Sequence, residues 1–347
     1  MSESVFLAAT TGRRARHTPV WFMRQAGRHL PEYRAVRGEG SILDAIRQPE
    51  LAAEITLQPV RRYGVDAAVL YSDIVVPAHA VGFGIDVTPG VGPVAERPLR
   101  SSADIDRLRP LEPGDVTFVT ETVAMVRSEL PDEVTVLGFA GAPFTVASYL
   151  VEGQPSRTYE HTKAMMHSDA ASWHRLMERL TESAATFIHL QLEAGAGAFQ
   201  VFDSWAGALS RRDYDEFVLP HTTRLFAGLS ARHPSTPGVH FGVGCDHLLE
   251  SFAATGAEVI GLDWRTGIAD ARRRLGADVA VQGNLDPALV LAGEAVALAG
   301  AKAVLDDNAG HPAHVFNLGH GVNPGTDPGV LAAVVDFVHA ATADYHE

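Results

Sequence analysis

The sequence predicts an α/β protein, a single (β/α)8 TIM-type barrel with its active-site cleft at the carboxyl ends of the strands. Three observations predict it. About eight short apolar, β-branched runs recur along the 347 residues, and helical segments separate them. Polar residues suited to ligand binding follow most of these runs. In a parallel barrel the strand ends surround one mouth, so such residues converge on a single cleft.

The first run, Val20 to Met23, delivers Arg24-Gln25-Ala26-Gly27-Arg28 at its exit. A guanidinium grips a carboxylate with a planar fork of donors and keeps its charge, so two of them four residues apart suit a polyanion. The alternative is that both arginines pair with the protein's own acids. Pro49-Glu50 then opens a helix that passes through Leu51, Ile55 and Leu57 towards Gly64. The second run, Ala67 to Tyr71, ends at Ser72-Asp73. An unpaired charge between apolar runs is expensive, so Asp73 needs a partner. A helix cap or an arginine would serve, and so would the N–H groups or cationic intermediate of a ligand.

Gly82 to Pro98 is expected to be a long loop. The third run, Val134 to Phe139, enters Gly138-Phe139-Ala140-Gly141-Ala142-Pro143-Phe144-Thr145, which has the look of a glycine-rich turn opening a helix. It lacks Walker and dinucleotide spacing, so close backbone packing is its expected role. Tyr149 lies further along, and by itself suits a core position as well as a ligand site. Trp173, Leu176, Met177, Leu180, Phe187, Ile188 and Leu192 mark one buried helix face. The remaining runs are Ala198 to Phe202, Val239 to Val243, Val259 to Leu262, Val279 to Val281 and His314 to Leu318. Asp203-Ser204, Asp263-Trp264, Asn284 and His320 follow four of them. His320 stands between Gly319 and Gly321, which leaves its ring exposed at a strand end, and Gly319 to Pro328 forms a second loop.

Composition narrows the function. With 28 Lys and Arg against 42 Asp and Glu the formal charge is −14, so nucleic acid and anionic membranes are repelled and an anionic ligand needs a local basic pocket. The 46% hydrophobic content supports a large core, while no apolar stretch approaches the length of a membrane span. The amino terminus has the wrong order for a signal peptide, and a cytoplasmic location is expected. The single cysteine, Cys245, excludes an intrachain disulfide and any zinc site with two thiolates from this chain, so His240 and Cys245 suggest a metal by proximity only. No linker or repeat divides residues 1–347, which are expected to form one domain.

Pro19 to Arg28 continuing through Leu30-Pro31-Glu32-Tyr33, and Gly138 to Gly153 with its Tyr149-Leu150-Val151-Glu152-Gly153 ending, closely resemble the two signatures of the uroporphyrinogen decarboxylase family. Leu57 to Arg62, Tyr71 to Ile74, Phe202 to Trp205, Gln282 to Pro287 and Asn317 to Gly321 extend the resemblance over nearly the whole chain. It implies a homodimeric barrel that needs no cofactor or metal and trims the four acetates of a cyclic tetrapyrrole to methyls. Family ligand positions fall on Arg24, Gln25, Ala26, Gly27, Arg28, Asp73, Tyr149, Ser204 and His320. The resemblance makes Asp73 the transition-state stabiliser and gives Arg24 and Arg28 catalytic duty as anchors, one of them a candidate proton donor. Trp205 replaces a histidine found in some relatives. The rivals are a zinc-dependent methyltransferase on the same barrel type, which the lone Cys245 opposes, and a non-catalytic porphyrinogen-binding protein, which the intact Arg24 and Asp73 oppose.

Overall fold

The computed structural model describes residues 4–276 and 279–343. Nine strands are present among them: β1 (Ala67–Val69), β2 (Ile85–Thr88), β3 (Gly92–Ala95), β4 (Thr135–Gly141), β5 (Ala198–Asp203), β6 (Gly238–Gly242), β7 (Val259–Gly261), β8 (Ala280–Gln282) and β9 (His314–Val315). Seven of them form one parallel sheet in the order β1-β4-β5-β6-β7-β8-β9. Sequential parallel strands joined by helices are the right-handed crossover pattern in which every carboxyl end faces the same way.

The first apolar run is not a regular strand. Val20 forms an isolated parallel bridge with Phe316. Phe316 N–H donates to Pro19 O at 2.8 Å, and on the other side Asp66 N–H donates to Val20 O at 2.8 Å. The run therefore bonds to chain flanking both β9 and β1. Side chains then take over the donors that a longer ladder would use: Phe22 N–H goes to Gln25 Oε1 and Met23 N–H to Asn317 Oδ1. Inside the sheet, Trp21 Nε1–H donates to Gln282 Oε1 at 3.0 Å, and Gln282 Nε2–H to Gln200 Oε1 at 2.8 Å. These links satisfy polar groups that burial would otherwise penalise.

The helix expected from Pro49 runs from Pro49 to Tyr63 and stops at Gly64, whose φ of +64° is cheap for glycine alone. The predicted apolar stripe lies on helix Ala170–Glu193, with Trp173, Leu176, Met177, Leu180, Phe187, Ile188 and Leu192 buried. A continuous apolar core reaches from Phe6 to Val338.

Two expectations need correction. The 82–98 stretch is not a plain loop, because β2 and β3 pair as an antiparallel hairpin within it. Gly138 and Gly141 lie inside β4 rather than in a turn. The close packing expected of them is present: a Cβ on Gly138 would meet Gln191 Oε1 at 2.9 Å, and one on Gly141 would meet Val146 Cγ2 at 2.6 Å. Among the described residues, no helix is long and apolar enough to cross a membrane.

Candidate active site

The loop that leaves the first run is fixed by a buried amide. Gln25 is fully buried; its Oε1 accepts from Phe22 N–H at 3.0 Å, and its Nε2–H donates to Ala67 O at 3.0 Å. Its side chain is thus an internal strut, while Ala26 and Gly27 are half-buried in the same loop. Arg24 and Arg28 are both exposed. Many other arginines pair with acids, as Arg62 does with Glu32 and Arg109 with Asp115, but neither Arg24 nor Arg28 has an ion-pair partner among the described residues. The structural ion-pair alternative therefore fails. Arg24 has a φ of +61°, a costly conformation for a side chain other than glycine.

Asp73 follows β1 and precedes the short helix Val76–Ala80. Val75 N–H donates to its Oδ1 at 3.0 Å in a local turn, but Asp73 does not cap the helix, whose N-cap is Val75 with no side-chain cap bond. Burial raises its carboxyl above the usual range, against the Val75 and Ile74 N–H groups and the Arg24 charge, which favour the anion. Tyr149 is buried on helix Pro143–Glu152. Burial pushes its hydroxyl up to about 12, opposed by a hydrogen bond from Trp205; Asp73 raises it further and Arg24 lowers it. The Tyr149 and Trp205 rings meet edge to face, with centroids 6.0 Å apart.

Thr145 ties this wall together. Its hydroxyl donates to Asp203 Oδ1 at 2.9 Å and accepts from Trp205 N–H at 3.2 Å, which positions the half-buried Ser204 between those two residues. On the opposite side, His320 Nδ1 accepts from Gly321 N–H at 2.7 Å. Burial lowers the imidazole to about 4, and Arg24 and Arg265 lower it further against Asp263. His320 is thus neutral at pH 7, with its proton on Nε2. It is a neutral donor rather than the cationic anchor that a histidine can be.

The Arg24 charge therefore reaches Asp73, Tyr149 and His320, and the Asp73 charge reaches Tyr149. Ser204 joins through the Trp205 contact, whereas no contact links Arg28 to the others. Asn284 serves structure instead: its Nδ2–H groups donate to Asp263 O and Thr266 O. Asp263 is likewise consumed, by Gly244 N–H, Arg265 N–H and the Arg265 guanidinium. Sequence reasoning passed over Arg265, which stacks 4.0 Å over the Trp264 ring beside His320, and Arg37, whose Nε–H donates to Tyr71 two residues before Asp73. Arg265 carried a signal, an arginine next to the already named Asp263-Trp264, whereas Arg37 lies 34 residues before Tyr71 and carried none.

The buried Cys245 belongs to no three-ligand cluster among the described residues, and burial pushes its thiol well above the usual range. His240 is stacked on Phe252, with centroids 3.9 Å apart. A thiolate metal centre at this mouth thus has no ligand set.

Fold and site define an enzyme of the parallel α/β class whose mouth combines unpaired guanidinium groups with a partly buried carboxylate. The chain belongs to the uroporphyrinogen decarboxylase family, whose pattern matches residues 1–341. It is 52% identical to the uroporphyrinogen decarboxylase of Saccharopolyspora erythraea, covering 99% of this chain and 96% of that one. It is 51% identical to that of Mycobacterium tuberculosis, covering 98% of each. Among solved structures, a methyltransferase from Methanosarcina mazei superposes with a TM-score of 0.79 over 98% of this chain and 99% of that one, at 18% identity, a likeness of fold alone.

Proposed function

We propose that the chain converts uroporphyrinogen III to coproporphyrinogen III in haem biosynthesis, removing four acetate carboxyls as CO2 without a cofactor. The enzyme is a carboxy-lyase. The observation that carries this reading is the grouping of Asp73, Tyr149 and His320 around Arg24 in a chain that matches this family over residues 1–341.

Loss of CO2 from an acetate on a pyrrole leaves an electron pair that needs a sink. Protonation of the ring at carbon supplies one, and the ring is briefly cationic. Asp73 accepts the pyrrole N–H groups in the ground state and stabilises the ring more strongly as positive charge develops. Its incomplete solvation makes that gain larger, since a buried anion lacks water to compensate it. Arg24 and Arg28 anchor substrate carboxylates. Tyr149, Ser204 and the Nε2–H of His320 add neutral hydrogen bonds, and the backbone of Gln25, Ala26 and Gly27 shapes the rim. Arg24 is the proposed proton donor; if Arg24→Ala weakens binding while leaving the chemical step intact, it is an anchor only.

The same reading takes residues 1–347 as one cytoplasmic domain and a homodimer of 37.1 kDa chains. It closes the sheet into an eight-stave barrel through the first run, supported by the hydrogen bonds that Val20 and Pro19 make on both sides. Anaerobic incubation with reduced uroporphyrinogen III tests the activity. Stepwise loss of carboxylates from eight to four is expected, with Asp73→Asn slowing kcat by about 10²- to 10³-fold, the scale of a lost transition-state contact. Unchanged substrate where another member of the family is active overturns the reading.

A further inference from the structure

We propose a divalent-cation site at the end of the sheet opposite the mouth, built from His17, Asp66 and His339, for zinc or a neighbouring first-row metal. Asp66 immediately precedes β1, whereas Asp73 follows it, so the two carboxylates stand at opposite ends of one strand. His17 Nε2 lies 3.0 Å from Asp66 Oδ1, and His339 Nε2 lies 2.8 Å from Oδ2. The two imidazole rings pack with centroids 3.9 Å apart. One ligand atom from each residue lies within 4.8 Å of the other two. Tetrahedral zinc with N and O ligands at about 2.0 Å holds its ligand atoms about 3.3 Å apart, so the triad needs only slight opening. Two imidazoles and one carboxylate are a ligand set for zinc, cobalt or iron, and leave positions open for water.

The contacts around Asp66 suit a cation here. Both oxygens of the Asp66 carboxylate already face imidazole nitrogens, Oδ1 towards His17 and Oδ2 towards His339. Val20 N–H also donates to Oδ2, at 2.8 Å. The two imidazoles thus converge on one carboxylate from the amino-terminal segment and the carboxyl-terminal helix. A single divalent ion placed among them would be met by all three side chains. The side chains of His17, Asp66 and His339 are 12%, 7% and 23% exposed, open enough for an ion to enter yet largely shielded. The ligands come from the amino-terminal segment, the entry to β1 and helix Pro328–Thr342. Thr18 N–H already donates to Thr342 Oγ1 at 2.9 Å, so an ion would reinforce an existing link between the two segments. The site uses no thiolate, which is why the single cysteine does not exclude it.

A second cluster, His189, Glu193 and His233, provides the control. There the imidazoles bond to each other at 2.8 Å, and Glu193 stands 4.0 Å away and exposed. The experiment strips the full-length protein with chelator and titrates it with Co2+ and, by equilibrium dialysis, Zn2+. One ion per chain is expected, with intense cobalt d–d absorption and a thermal midpoint raised by Zn2+. His17→Gln and His339→Gln should each abolish all three, His233→Gln should abolish none, and decarboxylation should not change with metal. Absence of cobalt absorption in the wild type overturns the proposal whatever the variants do. So does binding that survives in folded His17→Gln and His339→Gln proteins, or that is lost in His233→Gln alone.

Discussion

Gly321 governs where the Arg24 side chain rests. A Cβ at this position would meet Arg24 Cδ at 2.5 Å and Cγ at 2.8 Å, closer than carbon atoms pack. Gly321→Ala should displace the guanidinium and lower kcat/KM about 10- to 100-fold, the effect of losing one charged hydrogen bond worth about 1.5–3 kcal/mol. Steady-state kinetics in an Arg24→Ala background checks the route: there Gly321→Ala should add little, and full additivity would mean that the glycine acts elsewhere. His320 yields a second test. Because it is neutral down to about 4, it contributes no titration near 6.5. Wild type and His320→Asn should therefore show parallel kcat/KM profiles from pH 5.5 to 8; a limb near 6.5 present only in the wild type would assign His320 a charge. The arginine pair and the Gly-His-Gly setting were legible in the sequence because chemistry and spacing are local there. The protonation state of His320 was not, since it depends on burial and on Arg24, almost 300 residues away.

At the scale of elements, legibility followed the strength of local signals. Helix Pro49–Tyr63 carries a proline start and a glycine stop, and its ends were readable. The hairpin of β2 and β3 was missed because its glycine-rich flanks outweighed four-residue strands. The first run reads as a strand by composition, yet its ladder is interrupted by side-chain amides that no periodicity reveals. Gln25 is the clearest case: its side chain joins the first run to β1, a role that its place among the family's ligand positions does not announce. Gln25→Ala would orphan Phe22 N–H and Ala67 C=O in a dry interior, at about 1–3 kcal/mol for each group. Urea denaturation should register a loss of about 2–6 kcal/mol with an unchanged m-value. A midpoint equal to wild type would mean that water replaces the amide without penalty.

Across the whole molecule, convergence at the strand ends was foreseeable for Arg24, Asp73, Ser204 and His320, since topology alone puts them at one mouth. Asn284 and Asp263 occupy equivalent ends but bind neighbouring loops, a distinction that only three-dimensional contacts make. The fold also carries a pH liability absent from the charge count. His29, His221, His314 and His320 are each lowered to about 4, chiefly by burial. Their unfolded forms take up protons below about 6.5 while the folded forms do not, so their stabilisation is present above that pH and is lost as pH falls towards 4. Asp73 acts in the opposite direction, because its raised carboxyl gains a proton first in the folded state. Asp66 titrates below its usual range, outside the window from pH 7.5 to 5. His314 isolates the effect: it is fully buried, its Nε2–H donates to Gly283 O at 2.8 Å, and it lies outside the mouth. By linkage it should contribute about 2 kcal/mol of the stability lost between pH 7.5 and pH 5.0, at about 1.4 kcal/mol per pH unit below 6.5. His314→Asn removes the titration while keeping an N–H donor. Chemical denaturation at the two pH values should show the variant less stable at pH 7.5 but with a gap between the two conditions smaller by about that amount. An unchanged gap would mean that His314 becomes protonated within the folded protein.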